Sequence, residues 1–153
     1  MKRIPGNEML VSPYLDLLLE ADPDPAAVRN YLQFCQGLCD LRDDCVAGIC
    51  VFGPGSDYSG IEIYNVSVAS RFRRQGIAEG LIKSMLARAM GPVRVRTGST
   101  SFAALSLYQK LDFRMIAIVS DYFTKHYQEP IFENGIQLRD QIVLERKARS
   151  SGH

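Results

Sequence analysis

Apolar positions along this chain follow two periods, and the changes from one period to the other predict alternating helices and strands. Stretches with apolar residues three and four positions apart are typical of helices, whereas short runs rich in Val and Ile are typical of strands. The predicted helices cover residues 11–20, 26–36 with a start at Pro25, 77–90, and a segment that ends at Leu111 and is capped by Ser99, Thr100 or Ser101. The predicted strands cover residues 38–41, 45–52, 61–68, 93–97, 113–119 and 141–144.

Strands that alternate with helices predict an α/β layer fold with a mixed sheet. The 153 residues are enough for one domain with a substantial core and too few for two ordinary domains. We therefore expect a single domain over residues 1–153, with frayed ends at residues 1–8 and 146–153.

The strand at residues 61–68 changes its alternation halfway along. Ile61 and Ile63 are apolar at odd positions, whereas Val66 and Val68 are apolar at even positions. Because side chains alternate strictly in a regular strand, this change predicts a β-bulge near residues 64–65. The alternative is a strand that is buried on both faces, in which the alternation carries no information.

A basic loop at residues 71–76 connects this strand to the helix that begins at Ile77. The first N–H groups of a helix lack partners inside it, and the helix dipole adds partial positive charge there. Gly76 allows a ligand to approach the backbone closely, and Arg73 and Arg74 add charge. The loop is thus typical of a pyrophosphate site, although a solvated loop is the alternative. It contains neither a P-loop motif nor the dinucleotide Gly-x-Gly-x-x-Gly motif.

Composition narrows the choice of partners. The net charge is +1, with 46% hydrophobic and 23% charged residues, so neither a nucleic-acid surface nor a membrane surface is indicated. No targeting segment or membrane span is visible, and we expect a cytoplasmic protein. The four cysteines lack zinc-ligand spacing and a nearby histidine, so we expect no metal site; these cysteines are Cys35, Cys39, Cys45 and Cys50.

Two linked motifs give the chain a family resemblance. Arg73, Gly76 and Ala78 fit Gln/Arg-x-x-Gly-x-Gly/Ala, and residues 104–113 are similar to an Ala-x-x-x-Tyr-x-x-x-Gly-Phe helix. With the strand before the first motif and the helix after it, the chain resembles the GNAT superfamily of acyl-CoA-dependent N-acyltransferases. The resemblance covers residues 46–143.

The resemblance implies a single-domain GNAT-like fold, with a mixed, mostly antiparallel central sheet flanked by helices and a bulged, splayed central strand. It implies an acetyl-CoA-dependent N-acetyltransferase that acts by direct transfer in a ternary complex. The acceptor would be a small-molecule or peptide amine, and a homodimer is possible. The alternative is a non-catalytic acyl-CoA-binding sensor, whereas a purely structural protein would leave the basic loop unexplained.

The resemblance also implies roles for individual residues. Tyr108 would protonate the leaving thiolate and Glu62 would act as the general base. The expected CoA-binding residues are Val66, Val68, Arg73, Arg74, Gln75, Gly76, Ile77, Ala78, Ser101 and Tyr108.

Each catalytic candidate has an alternative interpretation. Tyr108 shares a helical face with apolar residues and could belong to the core. Glu62 could be an exposed strand residue. His126 could be the base, part of an acceptor pocket or a structural residue. If neither Glu62 nor His126 is the base, water is the third candidate.

Three positions depart from the family pattern. Asp112 replaces the usual glycine, Ser101 replaces a common asparagine seven residues before Tyr108, and Ser70 replaces a frequent proline. The change at Ser101 puts one CoA contact in doubt. The aromatic segment 121–137 looks like a stretch in a group of uncharacterised bacterial GNAT proteins, and we expect it to form an acceptor-pocket wall or a dimer contact.

Overall fold

The computed structural model describes residues 1–148 of the chain. Its helices are α1 (Tyr14–Ala21), α2 (Pro25–Leu32), α3 (Ile77–Leu86), α4 (Phe102–Lys110) and α5 (Tyr122–His126), with 3-10 turns at Gly6–Met9 and Ser70–Phe72. Its strands are β1 (Lys2–Pro5), β2 (Gln36–Arg42), β3 (Cys45–Pro54), β4 (Ile61–Val68), β5 (Val93–Gly98), β6 (Arg114–Val119), β7 (Phe132–Glu133), β8 (Ile136–Gln137) and β9 (Gln141–Arg146).

Seven strands form one sheet in the order β1-β2-β3-β4-β5-β9-β6. Every pairing among them is antiparallel except that of β4 with β5, which is parallel. This is the mixed, mostly antiparallel sheet flanked by helices that the sequence predicts, and the fold prediction is confirmed.

Each face of the sheet buries its own hydrophobic cluster. One cluster includes apolar residues of α3 and α4 on one face, and the other includes residues of α1 and α2 on the opposite face. The hydrophobic positions of α3 explain its place, since Ile77, Leu81, Ile82, Met85 and Leu86 are all buried. The central strand β4 therefore lies between two helical layers.

The predicted bulge lies in β4 at Tyr64. On β3, Val51 is opposite Asn65, but the next residue, Phe52, is opposite Ile63, so Tyr64 is the extra residue. The pairing of β4 with β5 ends at the same point, with Ile63 opposite Val95. Beyond it β5 continues along β9, so the two parallel strands separate. Both the bulge and the splay of the central strand are confirmed.

The amino end corrects one expectation. Residues 1–8 were expected to fray, but β1 pairs with β2 at the sheet edge and Ile4 is almost fully buried. At the other end, Arg146 is the last residue of β9, so fraying does not begin there. The rest of that prediction concerns a tail whose residues 149–153 lie outside the described part of the chain.

Two helix ends and one segment also differ from the expected ones. α2 ends at Leu32, and Gln36 begins β2 instead of ending the helix. α3 ends at Leu86 instead of continuing to residue 90. The aromatic segment 121–137, where no helix or strand is predicted, contains α5 and the β7–β8 hairpin. None of the helices described within residues 1–148 is long and apolar enough to cross a membrane.

Candidate active site

A groove of about 460 Å³ opens where β4 and β5 separate. Its lining comes from four parts of the fold: the end of α1, the splayed half of β4, the loop into α3 with the first turn of α3, and one residue of α4. The lining residues are Glu20, Ala21, Val66, Ser67, Val68, Phe72, Arg73, Arg74, Gly76, Ile77, Ala78, Glu79 and Leu107.

The amino end of α3 provides backbone donors to the groove. The first intrahelical bond runs from the Gly80 N–H to the Gly76 carbonyl at 3.0 Å, so the N–H groups of residues 77–79 precede the hydrogen-bonded turns. Gly76 has a φ of +75°, and a Cβ built on it would meet no atom within 4 Å. The left-handed backbone therefore suits glycine, and any added side chain would project into open space beside these donors.

The splayed half of β4 provides a second set of backbone groups. The Ala69 N–H donates to the Ala47 carbonyl of β3 at 2.8 Å. Because bonding direction alternates along an antiparallel pair, Val66 and Val68 direct their N–H and C=O groups away from β3. The Val68 carbonyl accepts a bond from Arg73 Nε at 3.3 Å, as this direction requires. These groups face the space that β5 has left.

The loop arginines differ in their partners. Arg71 lies 3.7 Å from Asp43 and stacks over the Phe72 ring, and it is not among the residues that line the groove. Arg73 lines the groove and also lies 3.9 Å from Glu20. Arg74 lines the groove in an exposed, left-handed conformation with a φ of 64°. Two cations therefore stand beside the α3 amino end, and one of them already has a carboxylate partner.

The groove contains most of the expected CoA-binding residues, but three of them do not line it. Gln75 accepts a hydrogen bond from Arg42 at 2.9 Å. Ser101 is the N-cap residue of α4 but makes no side-chain cap bond, because its hydroxyl donates to Glu133 at 2.9 Å. Tyr108 is the third of these residues. Their expected contacts with CoA stay predictions.

Tyr108 lies on α4 inside the core cluster of that face. It is 7% exposed, its ring centroid is 5.7 Å from that of Phe113, and burial raises its pKa above the ordinary tyrosine value. The hydroxyl therefore keeps its proton at neutral pH, as an acid must. The surroundings fit the core interpretation as well as the catalytic one.

Glu62 lies one residue before the splay begins and is 7% exposed. Its carboxylate is 3.4 Å from the Arg96 guanidinium and 3.5 Å from the Tyr58 hydroxyl. Burial raises the pKa of Glu62, and the Arg96 charge offsets part of that rise. Glu62 is therefore a buried, partnered carboxylate and not an exposed strand residue. It is not among the residues that line the groove.

His126 lies at the end of α5, where it is exposed. Its Nδ1 is 2.7 Å from the Tyr122 carbonyl, and its ring stacks on Tyr122 with centroids 4.2 Å apart. The contacts of His126 are thus within its own helix.

The three buried cysteines are unsuited to act as thiol nucleophiles. Burial raises the pKa of Cys35 and of Cys50 to about 12 in each case, and it also raises the pKa of Cys39. These three thiols stay protonated near neutral pH, so they are poor nucleophiles. Within residues 1–148, no group of three or more His, Cys, Asp or Glu side chains is placed to hold a metal ion.

Sequence reasoning missed the groove residues that come from other parts of the chain. Glu20 and Ala21 belong to α1, and Leu107 belongs to α4. Ser67 is a polar residue between Val66 and Val68 on the strand that the sequence predicts to be splayed. That position could have indicated a groove residue. No local pattern indicates that the end of α1 lies beside β4.

A groove with backbone donors at a helix amino end and on a splayed strand suits a phosphate-bearing, extended ligand. Comparison with known proteins identifies the family: residues 8–113 match the acetyltransferase (GNAT) family model, and the chain belongs to that family. The prediction of the family from the two motifs is confirmed.

Relatives agree with this assignment. An uncharacterised N-acetyltransferase, YvbK, of Bacillus subtilis strain 168 is 37% identical over 133 residues, which are 84% of this chain and 85% of YvbK. An IAA acetyltransferase structure from Bacillus cereus is 35% identical with a TM-score of 0.86, covering 95% of this chain and 97% of that chain. A GNAT acetyltransferase structure from Elizabethkingia anophelis with acetyl-CoA bound is 35% identical with a TM-score of 0.83, covering 90% and 91%. The chain is accordingly an N-acetyltransferase that uses acetyl-CoA.

Proposed function

We propose that the protein transfers an acetyl group directly from acetyl-CoA, bound in the β4–α3 groove, to a primary amine that approaches from the α1 side. The amine nitrogen attacks the thioester carbonyl carbon, the C–S bond breaks, the amine loses a proton and the CoA thiolate gains one. No covalent acetyl-enzyme forms.

The observation that carries the proposal is the convergence of two backbone donor sets on one groove. The N–H groups at the start of α3, which have no partner inside the helix, and the edge of β4 at Val66 and Val68, which β5 does not pair, both face it. The α3 amino end and the two cations, Arg73 and Arg74, suit the pyrophosphate of CoA. The β4 edge suits the amide-containing pantetheine arm and the thioester carbonyl, because backbone N–H groups there can polarise the carbonyl oxygen.

Two side chains near the point where β4 and β5 separate would carry out the proton transfers. Tyr108 would protonate the thiolate, since its raised pKa keeps it in the acid form. Glu62 would take the amine proton through water, because it lies next to the bulge but does not line the groove. His126 is the less favoured base, as its ring is held against its own helix.

An acceptor screen tests the proposal. Purified protein is mixed with acetyl-CoA and a panel comprising an alkyl diamine, an aromatic monoamine, an aminoglycoside, amino acids and short peptides. We expect amine-dependent release of free thiol and a product heavier than the acceptor by one acetyl group in mass spectrometry. Tight acetyl-CoA binding without thiol release for any amine would instead support the acyl-CoA sensor.

Two further predictions concern the compartment and the oligomeric state of the enzyme. We propose that the protein is cytoplasmic and forms a homodimer. The large apolar side chains exposed on the edge strand β6 support the dimer; they are Met115, Ile116 and Ile118. Light scattering at micromolar concentration checks the oligomeric state, and a monomeric mass would contradict it.

A further inference from the structure

Four polar side chains are joined by hydrogen bonds in a continuous line, which runs from the groove to the α1–α2 connection. Ser67 Oγ is 2.6 Å from Asn65 Oδ1, Asn65 Nδ2 is 3.0 Å from the Tyr31 hydroxyl, and that hydroxyl is 3.4 Å from Asp22 Oδ2. Ser67 and Asn65 are each only 5% exposed, on the face of the sheet that α1 and α2 cover. The line occupies a region that is otherwise apolar.

The direction of every hydrogen bond in this line is fixed. Asn65 Nδ2 also lies 2.9 Å from the Leu18 carbonyl, which can only accept, so the amide cannot be flipped. Asn65 Oδ1 must then face Ser67, and Ser67 must donate to it. Burial raises the pKa of Tyr31, so its hydroxyl stays protonated. The hydroxyl is therefore the donor in its hydrogen bond to the Asp22 carboxylate.

This direction determines what Ser67 can do at the groove. Its only proton is used toward Asn65, so its remaining lone pairs can only accept. An amide side chain does not pass protons on under ordinary conditions, so the line is not a route for the amine's proton. It orients Ser67 and leaves the acid–base chemistry unchanged.

The groove extends to this face of the sheet, because Ser67 lines it together with Glu20 and Ala21 at the end of α1. Val66 and Val68, on either side of Ser67, carry the free backbone edge assigned above to the thioester. A group bound between α1 and the thioester would therefore lie against Ser67.

We propose that Ser67 Oγ accepts a hydrogen bond from an N–H of the attacking amine, and that Asn65, Tyr31 and Asp22 hold Ser67 in its accepting orientation. This inference rests on the proposed function, and it makes Ser67 a specificity determinant for acceptors that carry N–H. One N–H directed at Ser67 turns the nitrogen lone pair toward the thioester carbon. Such orientation lowers the barrier by limiting unproductive poses.

The inference can be tested without knowing the acceptor. The probes are S-carboxymethyl-CoA n-butylamide, whose amide N–H lies close to the position of the attacking amine nitrogen, and the corresponding N-butyl-N-methylamide, which carries no N–H. Calorimetry measures both dissociation constants for the wild type, Ser67→Ala and the surface control Ser56→Ala. We expect the wild type and the control to prefer the N–H compound about tenfold, and Ser67→Ala to lose that preference, as for one hydrogen bond.

Tyr31→Phe provides a second variant that breaks the line without touching the groove. Because the Leu18 carbonyl still holds the Asn65 amide in this variant, Tyr31→Phe should retain CoA binding and reduce the tenfold preference only in part, whereas Tyr14→Phe should leave it unchanged. A preference that survives in both Ser67→Ala and Tyr31→Phe would overturn the inference, as would equal weakening of both probes and of CoA. If the wild type binds neither CoA nor the probes, the proposed function itself has failed.

Discussion

The two walls of the groove differ in how the chain builds them. One wall, here called the loop wall, consists of groove residues within 72–79, which are nearly consecutive. The other, here called the α1 wall, combines Glu20 and Ala21 with Ser67 and the polar side chains behind it. The loop wall offers mainly backbone N–H groups, whereas the α1 wall offers mainly side chains. A wall made of consecutive backbone groups needs only a local conformation, while the other needs the whole tertiary fold.

This difference suggests separate tasks. In the proposed function the loop wall would meet the part of the ligand that every acetyl-CoA molecule shares, so general features such as a helix amino end are sufficient. The α1 wall would meet the acceptor, for which particular side chains are required. Substitutions in the loop wall should therefore change CoA affinity, and those behind the α1 wall should change acceptor use.

Gly76→Glu should give the largest effect on the loop wall. At a φ of +75°, with open space where a Cβ would be, the new side chain adds strain and projects a negative charge toward the pyrophosphate position. We expect CoA affinity, measured by calorimetry, to fall by about 100-fold or more.

Gly135→Glu is its matched control. Gly135 has the same φ of +75° and the same open space around its Cβ position, but it lies in the β7–β8 connection. Both variants carry similar backbone strain, so only Gly76→Glu should lose CoA binding. Unchanged affinity in folded Gly76→Glu would remove the loop wall from the binding site.

Tyr108→Phe should affect turnover more than binding. If the phenol protonates the departing thiolate, its loss appears in kcat, by about 10 to 10⁴-fold, while the Kd for acetyl-CoA stays the same. Thiol release measured under conditions where chemistry limits the rate provides the value. Full activity would assign Tyr108 to the core alone, beside Phe113.

Glu62→Gln should change the pH profile. A base must be deprotonated, so wild-type activity should fall as the pH drops through the pKa of Glu62, which burial raises above the ordinary carboxyl value. The variant should lose this acid limb and about 100-fold in rate, with CoA affinity intact. Arg96 retains Asp57 at 3.7 Å as a partner, so the variant should fold.

His126→Gln separates the two base candidates in the same pH series. If it, and not Glu62→Gln, flattens the acid limb, the histidine is the base. If both variants keep the wild-type limb and rate, neither residue is the base, and the amine proton leaves directly to water.

The two walls also show how far the sequence could predict this protein. The bulge at Tyr64 followed from the change in alternation, and the loop wall followed from Gly76 and its neighbours, because both signals are local. The line behind Ser67 could not be predicted: Asn65 meets Leu18 and Tyr31 at separations of 47 and 34 residues. Only the packing of α1 and α2 on β4 brings these groups together.

Two short elements escaped prediction for a different reason. β1 contains only four residues, with a single buried apolar position at Ile4, so it has no alternation to detect. The hairpin β7–β8 is shorter still, with two residues in each strand. Both form because a neighbour offers hydrogen bonds, as β2 does for β1, and not because of their own pattern.

Arg73→Ala and Arg74→Ala should each weaken CoA binding by about 1–3 kcal/mol, the range for hydrogen bonds to charged groups. Arg88→Ala is the matched control, since Arg88 is exposed just beyond the other end of α3. The losses should shrink as salt is added, because exposed charges are screened. If all three variants lose the same affinity, the effect comes from net charge and not from the loop wall.

Glu20→Gln should have the smallest effect, and in the opposite direction. Glu20 belongs to the α1 wall but lies 3.9 Å from Arg73 of the loop wall, so its carboxylate competes with phosphate for that cation. An exposed pair of this kind is worth about 0–1 kcal/mol, so CoA should bind up to about fivefold more tightly in the variant. Glu79→Gln offers a comparison, since Glu79 lines the groove but pairs with Lys83 at 3.6 Å. Weaker CoA binding in Glu20→Gln would mean that Glu20 holds Arg73 in its binding position, and the two walls would then act on CoA together.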